Sequence, residues 1–145
     1  MNVLVTGGSG QLGSEIQANS HKKSCYYFTD INSLDICDVQ AIRAFVQLNN
    51  IGVIVNCAAY TNVDKAEDDS ALATLINHTA VENLATVCKE HNLPLIHIST
   101  DYVFGGSKNT PYTETDPTTP LGVYGRTKLA GEQAIQQAGI EHLII

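Results

Sequence analysis

Tyr124 and Lys128 stand four residues apart in a stretch patterned as a helix from Tyr124 to Ala138, so their side chains share one face. A phenol ionises near pH ~10 and is a poor acid at neutrality, but a neighbouring ammonium favours the phenolate and brings it toward the working range. Such a pair can give a proton to a carbonyl oxygen while hydride arrives at the carbon, or run in reverse. It is also common on solvated helix faces, and Thr100 is what gives it direction. Thr100 follows the apolar run Leu95 to Ile98, so its hydroxyl is expected at the carboxyl edge of a sheet, placed to bind a substrate oxygen.

The other end of the chain carries a second chemistry. Val3-Leu4-Val5-Thr6 runs into Gly7-Gly8-Ser9-Gly10-Gln11-Leu12-Gly13 and then into a helical pattern, which puts three spaced glycines on a strand-to-helix turn. Gly7 permits the tight turn, Gly10 lets backbone approach a pyrophosphate, and Gly13 lets the helix pack closely on the sheet. The amides of Gln11 and Leu12 then face the phosphates from a helix N-terminus. Asp30, seventeen residues beyond Gly13, ends the second apolar run, where a carboxylate can accept hydrogen bonds from both hydroxyls of an adenosine ribose. A 2′-phosphate would meet that charge with no Arg or Lys close behind it, which favours NADH slightly over NADPH. Asp35, beside Ile36, is a second acid within reach of the adenine edge. Ala58 and Ala59, with Tyr60 after them, follow the run Val53 to Val55 and leave room for a flat cofactor at the strand end.

These residues need elements to hold them. Short apolar runs at 3–5, 25–28, 53–55, 95–98 and 143–145 read as strands buried on both faces. Amphipathic stretches at 11–19, 39–48, 71–91 and 124–138 read as helices, with Asp38 as an N-cap and Gly139 as a stop. Strand and helix alternate throughout, the pattern of an α/β doubly wound parallel sheet, a Rossmann-like dinucleotide-binding domain over residues 1–145. The longest irregular piece, 105–122, carries three prolines and falls between the two candidate catalytic segments, as a substrate-facing flap would.

At 145 residues and 43% hydrophobic content the chain suits one domain with a substantial core. A net charge of −7, with no basic patch larger than Lys22-Lys23, argues against nucleic acid as a partner. Cys25, Cys37, Cys57 and Cys88 are scattered without metal-ligand or disulfide spacing and read as small apolar residues of a reducing compartment. A chain that starts on a strand, with no leader and no run of membrane-spanning length, is expected in the cytoplasm, without a membrane partner.

Four stretches together carry a resemblance: Val5-Thr6-Gly7-Gly8-Ser9-Gly10-Gln11-Leu12-Gly13, the segment Asn56 to Glu67, Ser99-Thr100-Asp101-Tyr102-Val103-Phe104, and the segment Tyr124 to Glu132. The chain resembles the extended short-chain dehydrogenase/reductases, and within them the dTDP-4-dehydrorhamnose reductases. The resemblance implies reduction of the C4 ketone of dTDP-4-dehydro-L-rhamnose to dTDP-L-rhamnose with NADH or NADPH. It implies Thr100, Tyr124 and Lys128 as a catalytic triad, with Val63 and Tyr102 near the sugar nucleotide. It also implies a possible homodimer of the full-length protein, sometimes with Mg2+ at the interface, for which no carboxylate cluster is assignable here.

Asp101 is followed by Tyr102 where related dehydratases carry Asp-Glu, so the base for elimination is missing. Gly105-Gly106 stands where the family usually has Asp-Gly, which puts the shape of the following loop in question. Family members are about twice this length, so the chain is expected to be the cofactor-binding half, lacking the C-terminal nucleotide-sugar-binding region, able to bind cofactor but poor at turnover. The alternatives are a non-catalytic regulatory subunit resembling the β subunit of methionine adenosyltransferase, or another nucleotide-sugar enzyme of the same family.

Overall fold

The computed structural model describes residues 1–20 and 25–145; Lys22-Lys23 lies outside the described residues. Five strands, β1 (Asn2–Thr6), β2 (Tyr26–Thr29), β3 (Ile51–Asn56), β4 (Leu95–His97) and β5 (His142–Ile144), form one sheet in the order β2-β1-β3-β4-β5. Every pairing is parallel. The chain leaves β1 for β2 on one side and then crosses back to β3 on the other. That reversal opens a crevice at the carboxyl ends of β1 and β3, the point where open α/β sheets bind ligands. Leu4, Ile54 and Leu95 are fully buried at the centre of the sheet, as the unbroken apolar runs require.

The helices α1 (Gln11–Asn19) and α2 (Val39–Leu48) match the sequence expectation residue for residue. Both starts are locally encoded: α1 begins at the glycine turn, and Asp38 Oδ1 accepts from the amides of Gln40 (2.9 Å) and Ala41 (3.1 Å). Asp38→Ala should therefore cost about 1 kcal/mol of stability, read as a lower midpoint in urea with an unchanged slope. α6 (Val123–Ala138) stops at Gly139, as expected.

The expected helix at 71–91 is interrupted. It is built from α4 (Ser70–Thr74), a π-helical turn (Leu75–Thr79) and α5 (Ala80–His91), preceded by the short α3 (Lys65–Asp68). The π turn faces Asn77 inward, where its side chain accepts from the Tyr60 amide (2.8 Å) and donates to the Tyr60 carbonyl (3.1 Å). Nδ2 of Asn77 also reaches Thr127 Oγ1 on α6 (3.2 Å), so one buried amide ties the segment after β3 to α6. Gly131 of α6 packs directly on this turn: a Cβ there would lie 2.3 Å from the Asn77 carbonyl oxygen.

Residues 105–122 contain no helix or strand, and the segment is held by its own side chains. Phe104 and Tyr112 stack at 4.4 Å, and Lys108 pairs with Asp116 at 2.5 Å. Gly105 fits against Thr119, whose Oγ1 would lie 2.5 Å from a Cβ at that position, so the departure from Asp is built into the packing of this loop.

Candidate active site

The crevice at the switch point is a cleft of about 810 Å³, of the size that small-molecule and cofactor sites occupy. The glycine turn forms its floor. Gly7 takes φ +68°, and a Cβ there would sit 2.6 Å from the Ala58 amide nitrogen, so only glycine lets β1 turn this close to β3. Gly13 does not line the cleft but shapes it: a Cβ would lie 2.3 Å from the Gly7 carbonyl oxygen and 2.7 Å from Gly8 Cα. Gly10, Gln11 and Leu12 line the cleft, and no side chain caps α1, so its first-turn amides stay free for an anion.

Asp30 lies at the far wall. Its Oδ2 accepts from Ser9 Oγ (2.9 Å), and Oδ1 accepts from the Asn32 amide (3.0 Å). The Ser9 hydroxyl foremost, and then that amide, hold the carboxyl below its ordinary range, so the group is a fixed anion at neutral pH. Asp35 and Ile36 line the same wall, with Asp35 Oδ1 accepting from the Cys37 amide at 2.8 Å. Ala58 and Ala59 line the side below β3.

Tyr124 and Lys128 close the other end of this same cleft. The Tyr102 and Tyr124 rings meet edge to face at 5.5 Å. Lys128 is only 1% exposed, and its Nζ donates to the Ile98 carbonyl at 2.6 Å. Burial pushes its pKa down to about 8 against the opposing pull of Glu132.

Of the residues singled out from sequence, Gly7, Gly10, Gln11, Leu12, Asp30, Asp35, Ile36, Ala58, Ala59, Tyr124 and Lys128 are gathered around one cleft. Gly13, Tyr60, Val63, Thr100 and Tyr102 are not among its lining residues. Tyr60 is fixed through its backbone by Asn77, and its hydroxyl is buried without a hydrogen-bond partner among the described residues. Thr100 caps the 3-10 turn Asp101–Val103, its Oγ1 accepting from the Tyr102 amide at 3.2 Å.

Ser99, rather than Thr100, faces the cleft, and its hydroxyl donates to Glu132 Oε1. Thr6, Cys57 and Ile98 line it too; their places at the carboxyl ends of β1, β3 and β4 were a signal that the strand-end rule could have used. Ile76 enters from the π turn, which no local pattern announces. No group of three or more His, Cys, Asp or Glu among the described residues could hold a metal, and no helix among them is long and apolar enough to cross a membrane.

The parallel sheet, the switch-point cleft and the uncapped helix over a glycine turn define a Rossmann-like nucleotide-binding domain. Within that class, the whole chain, residues 1–145, matches the family described as the RmlD substrate binding domain, and it belongs to that family. It is 44% identical to a dTDP-4-dehydrorhamnose reductase of Shigella flexneri, covering 99% of this chain and 50% of that protein. It is 45% identical to one of Mycolicibacterium smegmatis, covering 94% and 42%.

Among solved structures, the dTDP-4-dehydrorhamnose reductase of Bacillus anthracis in complex with NADP superposes with a TM-score of 0.94 at 35% identity, covering 99% of this chain and 52% of that one. The Clostridium acetobutylicum reductase superposes at 0.95 and 40%, with the same coverage. A UDP-Glc/GlcNAc 4-epimerase of Campylobacter jejuni, at 22% identity and a TM-score of 0.85, shares the fold. The chain spans about half the length of the relatives it matches.

Proposed function

We propose that these residues form the cofactor-binding and proton-donating part of a reductase that converts the C4 ketone of dTDP-4-dehydro-L-rhamnose to the alcohol of dTDP-L-rhamnose. The observation that carries this reading is that Tyr124 and Lys128 line the same cleft as the glycine turn, although more than a hundred residues separate them in sequence. The cleft fits a dinucleotide: free amides at Gln11 and Leu12 suit a pyrophosphate, and Gly10 beside them lines the cleft without a side chain. When bound, NADH or NADPH supplies the hydride.

The chain's own residues do the rest. Tyr124 donates its hydroxyl proton to the substrate oxygen as the carbonyl carbon is reduced, leaving a phenolate that the Lys128 ammonium stabilises. Lys128 is anchored by the Ile98 carbonyl, which fixes its amine at the end of the cleft where the nicotinamide ribose would lie. The Thr100 hydroxyl stands outside the cleft lining, and its oxygen accepts from the Tyr102 amide, a bond that does not use its own proton; that proton can still be given to a substrate oxygen that reaches past the lining. Val63 and Tyr102 would face the sugar nucleotide, whose site is completed by a following region of the kind that makes the relatives twice as long. The protein works in the cytoplasm, as a homodimer in its full-length form.

Asp30 favours NADH, because its anionic carboxylate would repel a 2′-phosphate and Lys128 is the one Lys or Arg among the described cleft-lining residues. Titration calorimetry of this chain is the test. Both dinucleotides should bind, NADH more tightly, and Asp30→Asn should narrow the difference by about threefold or more. Binding of neither would remove the glycine turn from the cofactor role. Tighter NADPH binding, unchanged by Asp30→Asn, would remove Asp30 from selection.

A further inference from the structure

Behind the cleft runs a buried polar chain that neither the cofactor nor the proton transfer uses directly. Thr6 Oγ1 at the end of β1 donates to Asn56 Oδ1 (2.6 Å) at the end of β3. Asn56 Nδ2 lies 3.0 Å from His97 Nδ1 on β4, and His97 Nε2 lies 3.3 Å from Lys128 Nζ on α6. Asn56 and His97 are fully buried. A chain of this kind in a closed interior is costly unless each donor finds an acceptor, so its proton positions can be worked out.

The backbone amide of Ala58 fixes the first step. It can only donate, and it lies 3.1 Å from Asn56 Oδ1, so the carbonyl oxygen of that side chain faces Ala58 and Thr6. The amide nitrogen therefore faces His97 and donates to Nδ1. Burial foremost, and then the Lys128 charge, push the His97 pKa down to about 3, so the ring is neutral throughout the working range and carries one proton. With Nδ1 accepting, that proton sits on Nε2. An N–H thus points at Lys128 Nζ, which can receive it as an amine but not as an ammonium.

We propose that Asn56 and His97 are positioning residues for Lys128: Asn56 locks His97 as the Nε2–H tautomer, and that N–H donates to the neutral amine of Lys128, favouring it over the ammonium. The titratable groups acting on Nζ are His97 from β4 and Glu132 on α6 itself; Tyr124, also on α6, and Cys57, after β3, line the same cleft. Glu132, held by Ser99, pulls the other way, so the lysine is poised between the two forms rather than fixed in either. The consequence rests on the function proposed above: a Lys128 that changes charge near neutrality switches its support of the Tyr124 phenolate on and off in the working range.

The test needs no turnover and no cofactor. Nitrogen-15 NMR of the histidine rings in this chain reads the tautomer directly, and carbon-13 shifts at the lysine Cε read the Lys128 titration, assigned by its loss in Lys128→Met. His97 should be protonated on Nε2. Asn56→Asp offers a carboxylate that still accepts from Thr6 and Ala58 but must also accept from Nδ1–H, so the tautomer should reverse and the Lys128 midpoint should rise by about one pH unit or more. His97→Gln, whose amide oxygen can turn toward Nζ, should also raise it.

A proton found on Nδ1 of the unsubstituted protein overturns the proposal, and this reading requires neither variant to fold. So does a Lys128 midpoint unmoved in both folded variants. Failure here leaves calorimetric cofactor binding unaffected, and failure of that binding leaves the tautomer measurement intact.

Discussion

Tyr124→Phe should lower the rate of ketone reduction by about 10²- to 10⁴-fold, the worth of a well-placed general acid, while leaving dinucleotide affinity unchanged. The expectation follows from the geometry. The Tyr124 side chain lines the cleft, and its ring packs edge to face on Tyr102, a contact that Phe preserves. The substitution thus removes the ionisable oxygen and leaves the packing in place. Turnover is measured on the full-length protein by nicotinamide fluorescence, with a dTDP-4-keto sugar as substrate, and binding is measured separately by calorimetry. A variant that keeps its rate would show that the proton comes from elsewhere. One that loses rate and cofactor together would show that the phenol holds the dinucleotide rather than the substrate oxygen.

Gly13→Ala and Gly10→Ala should separate two roles that the glycine motif combines. A Cβ at Gly13 would meet backbone on two sides, the Gly7 carbonyl oxygen at 2.3 Å and Gly8 Cα at 2.7 Å, and neither can rotate away as a flexible side chain could. The turn must shift, at a cost of about 1–3 kcal/mol of stability. In a domain of this size that lowers the melting temperature by roughly 3–10 °C. Because the displaced atoms are the turn proposed to hold the pyrophosphate, dinucleotide binding should weaken by at least about tenfold as well.

Gly10 differs. Its φ of −77° and ψ of 173° suit alanine, and a Cβ would come no nearer than 3.2 Å to its closest neighbour, the Gly7 carbonyl oxygen. Gly10→Ala should therefore melt within about 2 °C of the parent, while its methyl group would stand in the cleft where the proposed pyrophosphate would lie. Thermal melting with and without NADH reads both effects. Equal melting of the two variants would show that the glycines do not divide the work in this way.

Local chemistry made much of this architecture legible in the chain. The bounds of α1 and α2 follow from signals within a few residues of each start, the glycine turn and the Asp38 cap, which act before any distant contact forms. The helix expected at 71–91 shows the opposite case. Its composition is helical throughout, yet a π turn interrupts it at Leu75–Thr79, where Asn77 bonds the Tyr60 backbone seventeen residues away and Gly131 packs on its carbonyl. Nothing near residue 77 announces partners that only the folded sheet brings into range.

The candidate site divides along the same line. The glycine turn, Asp30 and the Tyr124-Lys128 pair are legible because each chemistry is written into a short stretch: a turn that only glycine fits, an acid at a strand end, two side chains one helical turn apart. The sequence by itself therefore determined which groups could bind a dinucleotide and which could move a proton. The tertiary structure decided that they share one cleft, and that Ser99 lines it while the Thr100 hydroxyl caps the following turn.

It also decided that Asn56, which follows one apolar run, and His97, which lies inside another, connect β1 to Lys128. Those contacts join residues 41 and 31 positions apart. The parallel register of β3 on β4, which pairs Asn56 with His97, creates them, and register is set by burial of the whole sheet rather than by any local motif.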